Sequence, residues 1–177
     1  MKKAVLLFAL LIFISALTTF CGNKETVPRY EKVIDNFEDG DLSEWDIFRA
    51  ENGSFINLSI SSDACEGNYS MKMEYGNSLN QEFSGSVSFS PEFKDWNIYN
   101  TFSICLKSSN ASSIEISTVE EDIDVFSYKI ENISANWNNY KKDNLFDNKI
   151  VVIDIKPGSF SGSETRTLLI DDIKVIE

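Results

Sequence analysis

Any chemistry in this chain must come from carboxylates, hydroxyls, amides and aromatic rings, because it holds no histidine. Serine–histidine–aspartate and cysteine–histidine catalysis are thereby excluded, as are histidine general bases and histidine metal ligands. Asp and Glu number 28 against 16 Lys and Arg, a formal net charge of −12. Such a chain repels nucleic acid and anionic headgroups, and is compatible with Ca²⁺ or neutral ligands. Carboxylates are numerous enough for a glycosidase pair, but nothing singles out two of them. Glu120-Glu121-Asp122 and Asp171-Asp172 are adjacent in sequence, and neighbours on a strand point to opposite faces. The stretch from Asp35 to Asp46 has Phe37 at its third position and Asp46 at its twelfth, which is not an EF-hand pattern. No phosphate-binding glycine loop, dinucleotide turn or zinc spacing occurs. The chain reads as non-catalytic.

Three cysteines remain to be placed. Lys2 and Lys3 precede an apolar run from Ala4 to Leu17, followed by Thr18-Thr19-Phe20-Cys21. A basic start and a short apolar run read as a signal peptide over residues 1–20, and the run is short for a membrane span of about 20 residues. Cys21 stands where a bacterial lipoprotein is cleaved and lipidated, although Phe20 is larger than the small residue usual before that cysteine. Ordinary secretion with cleavage nearby, or an uncleaved anchor, are the alternatives. Residues 21–30 then form the lipidated cysteine and a polar tether, and residues 31–177 one domain. Removing Lys2 and Lys3 with the signal segment takes the net charge from −12 to −14. The expected location is the cell envelope, outside the cytoplasm, with the membrane touched through the lipid alone. Cys65 and Cys105 face an oxidising compartment there, free to pair or to remain two half-buried thiols.

The elements that must position these groups are strands. Short alternating runs are split by Asn, Ser, Gly and Asp clusters, and no stretch of the domain holds a helical period. Strands are expected at 32–37, 54–60, 69–75, 85–90, 101–107, 113–119, 125–131, 137–141, 149–156 and 167–176, an all-β, two-sheet antiparallel sandwich. Side chains alternate faces with period two. Phe102, Ile104 and Leu106 therefore oppose Ser103, Cys105 and Lys107. Met71 and Met73 oppose Lys72 and Glu74; Ile114 and Ile116 oppose Glu115 and Ser117. Phe126, Tyr128 and Ile130 oppose Ser127 and Lys129. In the last strand Asp171 shares its parity with Leu169, Ile173 and Val175, which places a carboxylate on the core row. That position is costly unless the carboxylate is paired or metal-bound.

Five segments in order carry a family likeness. Val33–Trp45 (VIDNFEDGDLSEW) opens the domain. Glu66–Tyr75 (EGNYSMKMEY), Asp95–Ser109 (DWNIYNTFSICLKSS), Ile133–Asp147 (ISANWNNYKKDNLFD) and Leu168–Glu177 (LLIDDIKVIE) follow. Together they resemble the jelly-roll carbohydrate-binding modules of the galactose-binding-like superfamily. The resemblance implies a two-sheet jelly roll without catalysis that binds glycan on a sheet face or at loop tips. It also implies a structural Ca²⁺ held by Glu38 and Asp171, with backbone oxygens near residues 66–68. Trp96, Tyr99, Trp137 and Tyr140 fall at the family's packing positions.

Glycan sites use aromatic rings as platforms and polar side chains at the hydroxyls. None of the outer-face residues named above is aromatic, so a flat platform on a sheet is not evident. Phe48, Arg49 and Tyr75 lie near expected strand ends and are the candidates for ligand contact at a loop-tip site. Two functions follow: a glycan-binding envelope lipoprotein, or a structural or adhesive one that uses the same fold to hold a protein partner.

Overall fold

Phe102, Ile104 and Leu106 are fully buried, and they set the pattern of the whole core. The structure is a computed structural model, and it describes residues 30–177 except 94, 95, 97, 121, 122 and 144–151. Cys21 and the segment before it lie outside the described residues. Eleven strands are seen among the described residues: β1 (Glu31–Asp35), β2 (Trp45–Arg49), β3 (Ser54–Ser61), β4 (Ser70–Asn77), β5 (Gly85–Phe89), β6 (Thr101–Lys107), β7 (Ser113–Glu120), β8 (Ile123–Glu131), β9 (Asn138–Asp143), β10 (Val152–Pro157) and β11 (Arg166–Ile176). They form two antiparallel sheets. One has the order β3-β4-β11-β6-β9 with β1 added against β11, and the other runs β2-β5-β10-β7-β8. The protein is an all-β jelly-roll sandwich.

Alternation builds the core from both sheets. Met71, Met73, Leu168 and Ile170 from the six-stranded sheet and Val87, Ile116, Ile153 and Ile155 from the five-stranded sheet are all fully buried. Two aromatic groups fill the space beside them. Phe37, Trp45 and Phe89 form one, with the Trp45 and Phe89 rings stacked at 5.2 Å. Tyr75, Phe83 and Phe160 form the other. Trp96 and Tyr99 also pack inward, as the family likeness implies.

Three expectations need correction. The strand β2 is absent from the expected set, because Trp45-Asp46-Ile47-Phe48-Arg49 puts two apolar residues in succession. The outer face of β6 is not solvated: Ser103 and Cys105 are buried. The parity of β11 also breaks. Asp171 pairs with Cys105 and Lys174 with Ser103, so Asp172 and Ile173 together face the single residue Ile104. Asp172 takes a positive φ of 46° at this bulge. Leu168 and Ile170 point inward before the bulge, and Ile173 and Val175 point inward after it. An extra residue reverses the alternation, so Asp171 stands on the outer face beside Cys105 and not on the core row. It is buried nonetheless, because the loop 62–69 lies over it.

Cys65 of that loop is disulfide-bonded to Cys105, with the Cα atoms 6.3 Å apart and a sequence separation of 40. A bridge closing a loop of this length constrains the unfolded chain by about 2–4 kcal/mol. The double variant Cys65→Ala/Cys105→Ala is therefore expected to lose about 2–4 kcal/mol in urea unfolding. A midpoint unchanged from the wild type overturns the assignment of stability to this bond.

Candidate functional site

The two sheets offer unlike outer faces, and the loop 62–69 is the cause. Asp171 Oδ2 accepts the backbone N–H groups of Cys65 at 2.7 Å and Glu66 at 3.0 Å, and Oδ1 accepts that of Asp172 at 2.7 Å. Glu38 Oε1 accepts the N–H groups of Asn68 and Tyr69, and Oε2 accepts the Asn68 side-chain amide. Gly67 has φ +65° and lies so close to Glu38 that a Cβ there would collide with the carboxylate. Glycine is required at that position on both counts. Asp63, in the same loop, accepts from Lys107 and from the Trp137 indole N–H. The loop thus roofs part of the six-stranded sheet. Trp137 sits half-buried in this surface cluster rather than in the core, unlike the family's packing position.

Burial pushes the Asp171 carboxyl above its ordinary pKa, while the N–H groups of Glu66, Cys65 and Asp172 pull it down and neighbouring Asp172 pushes it up again. The N–H groups of Asn68 and Tyr69, then the Asn68 amide, hold the Glu38 carboxyl below its ordinary value. Burial works against the charge of Lys174, yet its bond to Asp172 at 2.7 Å, with Glu31 and Glu66 nearby, holds the ammonium above its ordinary value.

This donor set does not fit a Ca²⁺ shell. A calcium ion needs six to eight converging oxygens, whereas the oxygens of Glu38 and Asp171 face N–H donors. Among the described residues no group of three or more Asp, Glu, Cys or His converges as metal ligands do. Glu38 and Asp171 each hold the roof loop by hydrogen bonds.

The outer face of the five-stranded sheet has no such roof among the described residues. Asp46 pairs with Ser88, Ser88 with Asp154, Asp154 with Ser117, and Ser117 with Ser127, which forms one row across five strands. Two residues along, Phe48 pairs with Ser86, and Lys156, Glu115 and Lys129 are paired in turn. Phe48 is 59% exposed on this face. At the other side of the sheet lies a hollow of about 300 Å³ lined by Ser113, Glu115, Lys129, Lys156 and Ser159. Glu115 accepts from Ser127 Oγ, and Lys129 is ion-paired to Glu131 at 2.6 Å. A second hollow, about 320 Å³, opens between β1 and the loop before β2, against Asp35, Asp41, Glu44, Trp45 and Phe93. Asp35 there is pushed up by burial and pulled down by the Trp45 indole and Phe37 N–H groups.

Phe48, Arg49 and Tyr75 are not brought together. Phe48 and Arg49 are exposed neighbours on the edge strand β2, with alternating sides. Tyr75 is a correction: it is fully buried and packs on Phe83, and burial raises its hydroxyl to about 12. Its parity with Met71 and Met73 is the sequence signal for that position. The serine–aspartate row was not among the sequence candidates, because it joins strands that are not consecutive in the chain.

No protein-family model and no curated protein matches this chain. Solved structures do match in fold. The family 11 carbohydrate-binding module from Clostridium thermocellum, in complex with a β-1,3-1,4-mixed-linked tetrasaccharide, gives a TM-score of 0.62 at 18% identity over 82% of this chain and 94% of that one. A family 29 carbohydrate-binding module complexed with cellulohexaose gives 0.51 at 15% identity, over 85% and 93%. An exo-β-agarase gives 0.59 at 12% identity, over 82% of this chain but 25% of the enzyme.

Two outcomes follow for the roof. Adding Ca²⁺ or a chelator is expected to leave the thermal midpoint unchanged; a rise with Ca²⁺ overturns the hydrogen-bonded assignment. Glu38 is held below its ordinary value in the folded state, so its contribution is present above the unfolded pKa of about 4.5 and fades as pH falls through the lower folded value. The midpoint difference between wild type and Glu38→Gln is therefore expected at pH 7 and gone at low pH. A difference that is constant across pH 3–7 contradicts this role.

Proposed function

We propose that this chain is a non-catalytic glycan-binding module, exported and held at the cell envelope through Cys21. The observation that carries the reading is the outer face of the five-stranded sheet. It presents hydroxyls, carboxylates and amines across its width, with an exposed phenyl ring at one side and a hollow at the other. Sugars present hydroxyls in the ring plane and C–H groups on the ring face, and that combination meets such a surface. The fold likeness to modules bound to a mixed-linked tetrasaccharide and to cellulohexaose supports the same reading.

The non-catalytic part rests on where protonatable carboxyls lie. Glycoside hydrolysis uses an acid whose pKa is raised. Asp35 and Asp171 are raised by burial, and each is tied to N–H donors away from this sheet face.

A second reading has its own observation. Ile47 and Phe48 are both exposed on β2, an edge strand of its sheet. A protein partner that adds a strand to this edge would cover them.

Calorimetric titration with soluble mixed-linked β-glucan oligosaccharides tests the first reading. Saturable binding is expected, weakened about tenfold, or about 1.4 kcal/mol, in Phe48→Ala. A folded protein that binds nothing across a broad glycan panel refutes it, and a stoichiometric envelope protein recovered on wild type but not on Phe48→Ala favours the second.

A further inference from the structure

We infer that Lys174 is a built-in cation: its ammonium holds the place beside Asp172, Glu31 and Glu66 that a divalent cation would otherwise take, and the clamp joining β1, β11 and the roof loop needs no metal. This holds whether or not the chain binds glycan. The sequence likeness implies Ca²⁺ held by Glu38 and Asp171, and those two carboxylates do not fit a Ca²⁺ shell. Each already accepts from three N–H donors.

Asp172, the next residue, is different. It is 4% exposed, and its Oδ2 meets no N–H or hydroxyl donor. The group beside that oxygen is the Lys174 ammonium, with Nζ at 2.7 Å. A buried carboxylate without such donors is tolerated only against a positive charge.

Lys174 is part of the packed structure rather than laid over it. Its side chain is 11% exposed. The bulge sets this position. Ile173 and Val175 face the core after the extra residue, so Lys174 faces the outer side. There it pairs with Val33 of β1 and with buried Ser103 of β6. Nζ lies 3.9 Å from Glu31 Oε2 on β1, and Glu66 of the roof loop adds its charge from a third element. One ammonium thus ties together carboxylates from β11, β1 and the loop 62–69.

Carboxylates gathered from separate segments are the donor set of a hard divalent cation. With the ammonium in place, no group of three converges as metal ligands do among the described residues. The lysine supplies one unit charge and three N–H donors. It fills the space between the carboxylates and repels a second cation. A bound Ca²⁺ stabilises in proportion to its concentration. A lysine carried by the chain does so at any Ca²⁺ concentration.

Thermal unfolding of the full chain, in millimolar Ca²⁺ and in chelator, tests this on wild type, Lys174→Met and the double variant Asp172→Asn/Lys174→Met. Methionine keeps an unbranched stem and removes the charge. Asparagine keeps the shape of Asp172 and tolerates its positive φ. Wild type is expected to unfold at one temperature in both solutions. Lys174→Met is expected to unfold about 10 °C lower in chelator, and Ca²⁺ to restore part of that loss. The double variant is expected to lie above Lys174→Met in chelator and to ignore Ca²⁺. A wild-type midpoint that rises with Ca²⁺ overturns the inference. So does a Lys174→Met midpoint equal to the wild type, or a loss in that variant that Ca²⁺ does not reduce. Failure of Lys174→Met to fold in Ca²⁺ as well as in chelator counts as no rescue and overturns it too.

Discussion

β11 carries one residue more than β6 can pair with, and the rest of the surface follows from it. Without the bulge at Asp172 and Ile173, alternation would aim Asp171 into the core. With it, the carboxylate stands on the outer side of the sheet and gathers the N–H groups of Cys65, Glu66 and Asp172. A buried carboxylate left without donors costs several kcal/mol; three donors offset that and draw the loop 62–69 down. The disulfide and Glu38 fix the same loop from either side. One sheet is thereby covered over part of its outer side, and the other has no such cover among the described residues.

The aromatic residues obey a similar division. They make up 12% of the chain, a share that suggests surface platforms if read as composition. Six of the rings instead form two groups in the core, Phe37, Trp45 and Phe89 in one and Tyr75, Phe83 and Phe160 in the other. Arg166 stacks over Phe160 at 3.9 Å and closes the second group. Among the described residues, what remains for the outer face of the five-stranded sheet is mostly polar, with Phe48 as an exposed ring.

Much of this was legible in the residues. The alternation of Thr101–Lys107 and Ser113–Val119 set strands and faces directly, and the ordered segments implied the jelly roll. Tyr75 was legible too, since it shares parity with Met71 and Met73. Other features were not. Ile47 and Phe48 in succession hide the strand they belong to. The bulge is invisible until β11 is laid against β6, because parity alone carries no count of the partner's residues. Glu38 meets its donors 30 residues away, and the serine–aspartate row joins five strands through pairings that skip along the chain. Long-range register, rather than local propensity, decides both.

The carbonyl of Tyr30 accepts the N–H of Glu177 at 2.9 Å, at the end of the β1–β11 ladder. A load drawn through Tyr30 reaches the fold first through β1. That strand is five residues long, and among the described residues it pairs only with β11. A pull away from the end of this ladder opens its bonds one after another, so resistance is set by a single pair at a time. The mechanical fuse of the molecule is then β1, which can peel while the rest of the sandwich stays closed.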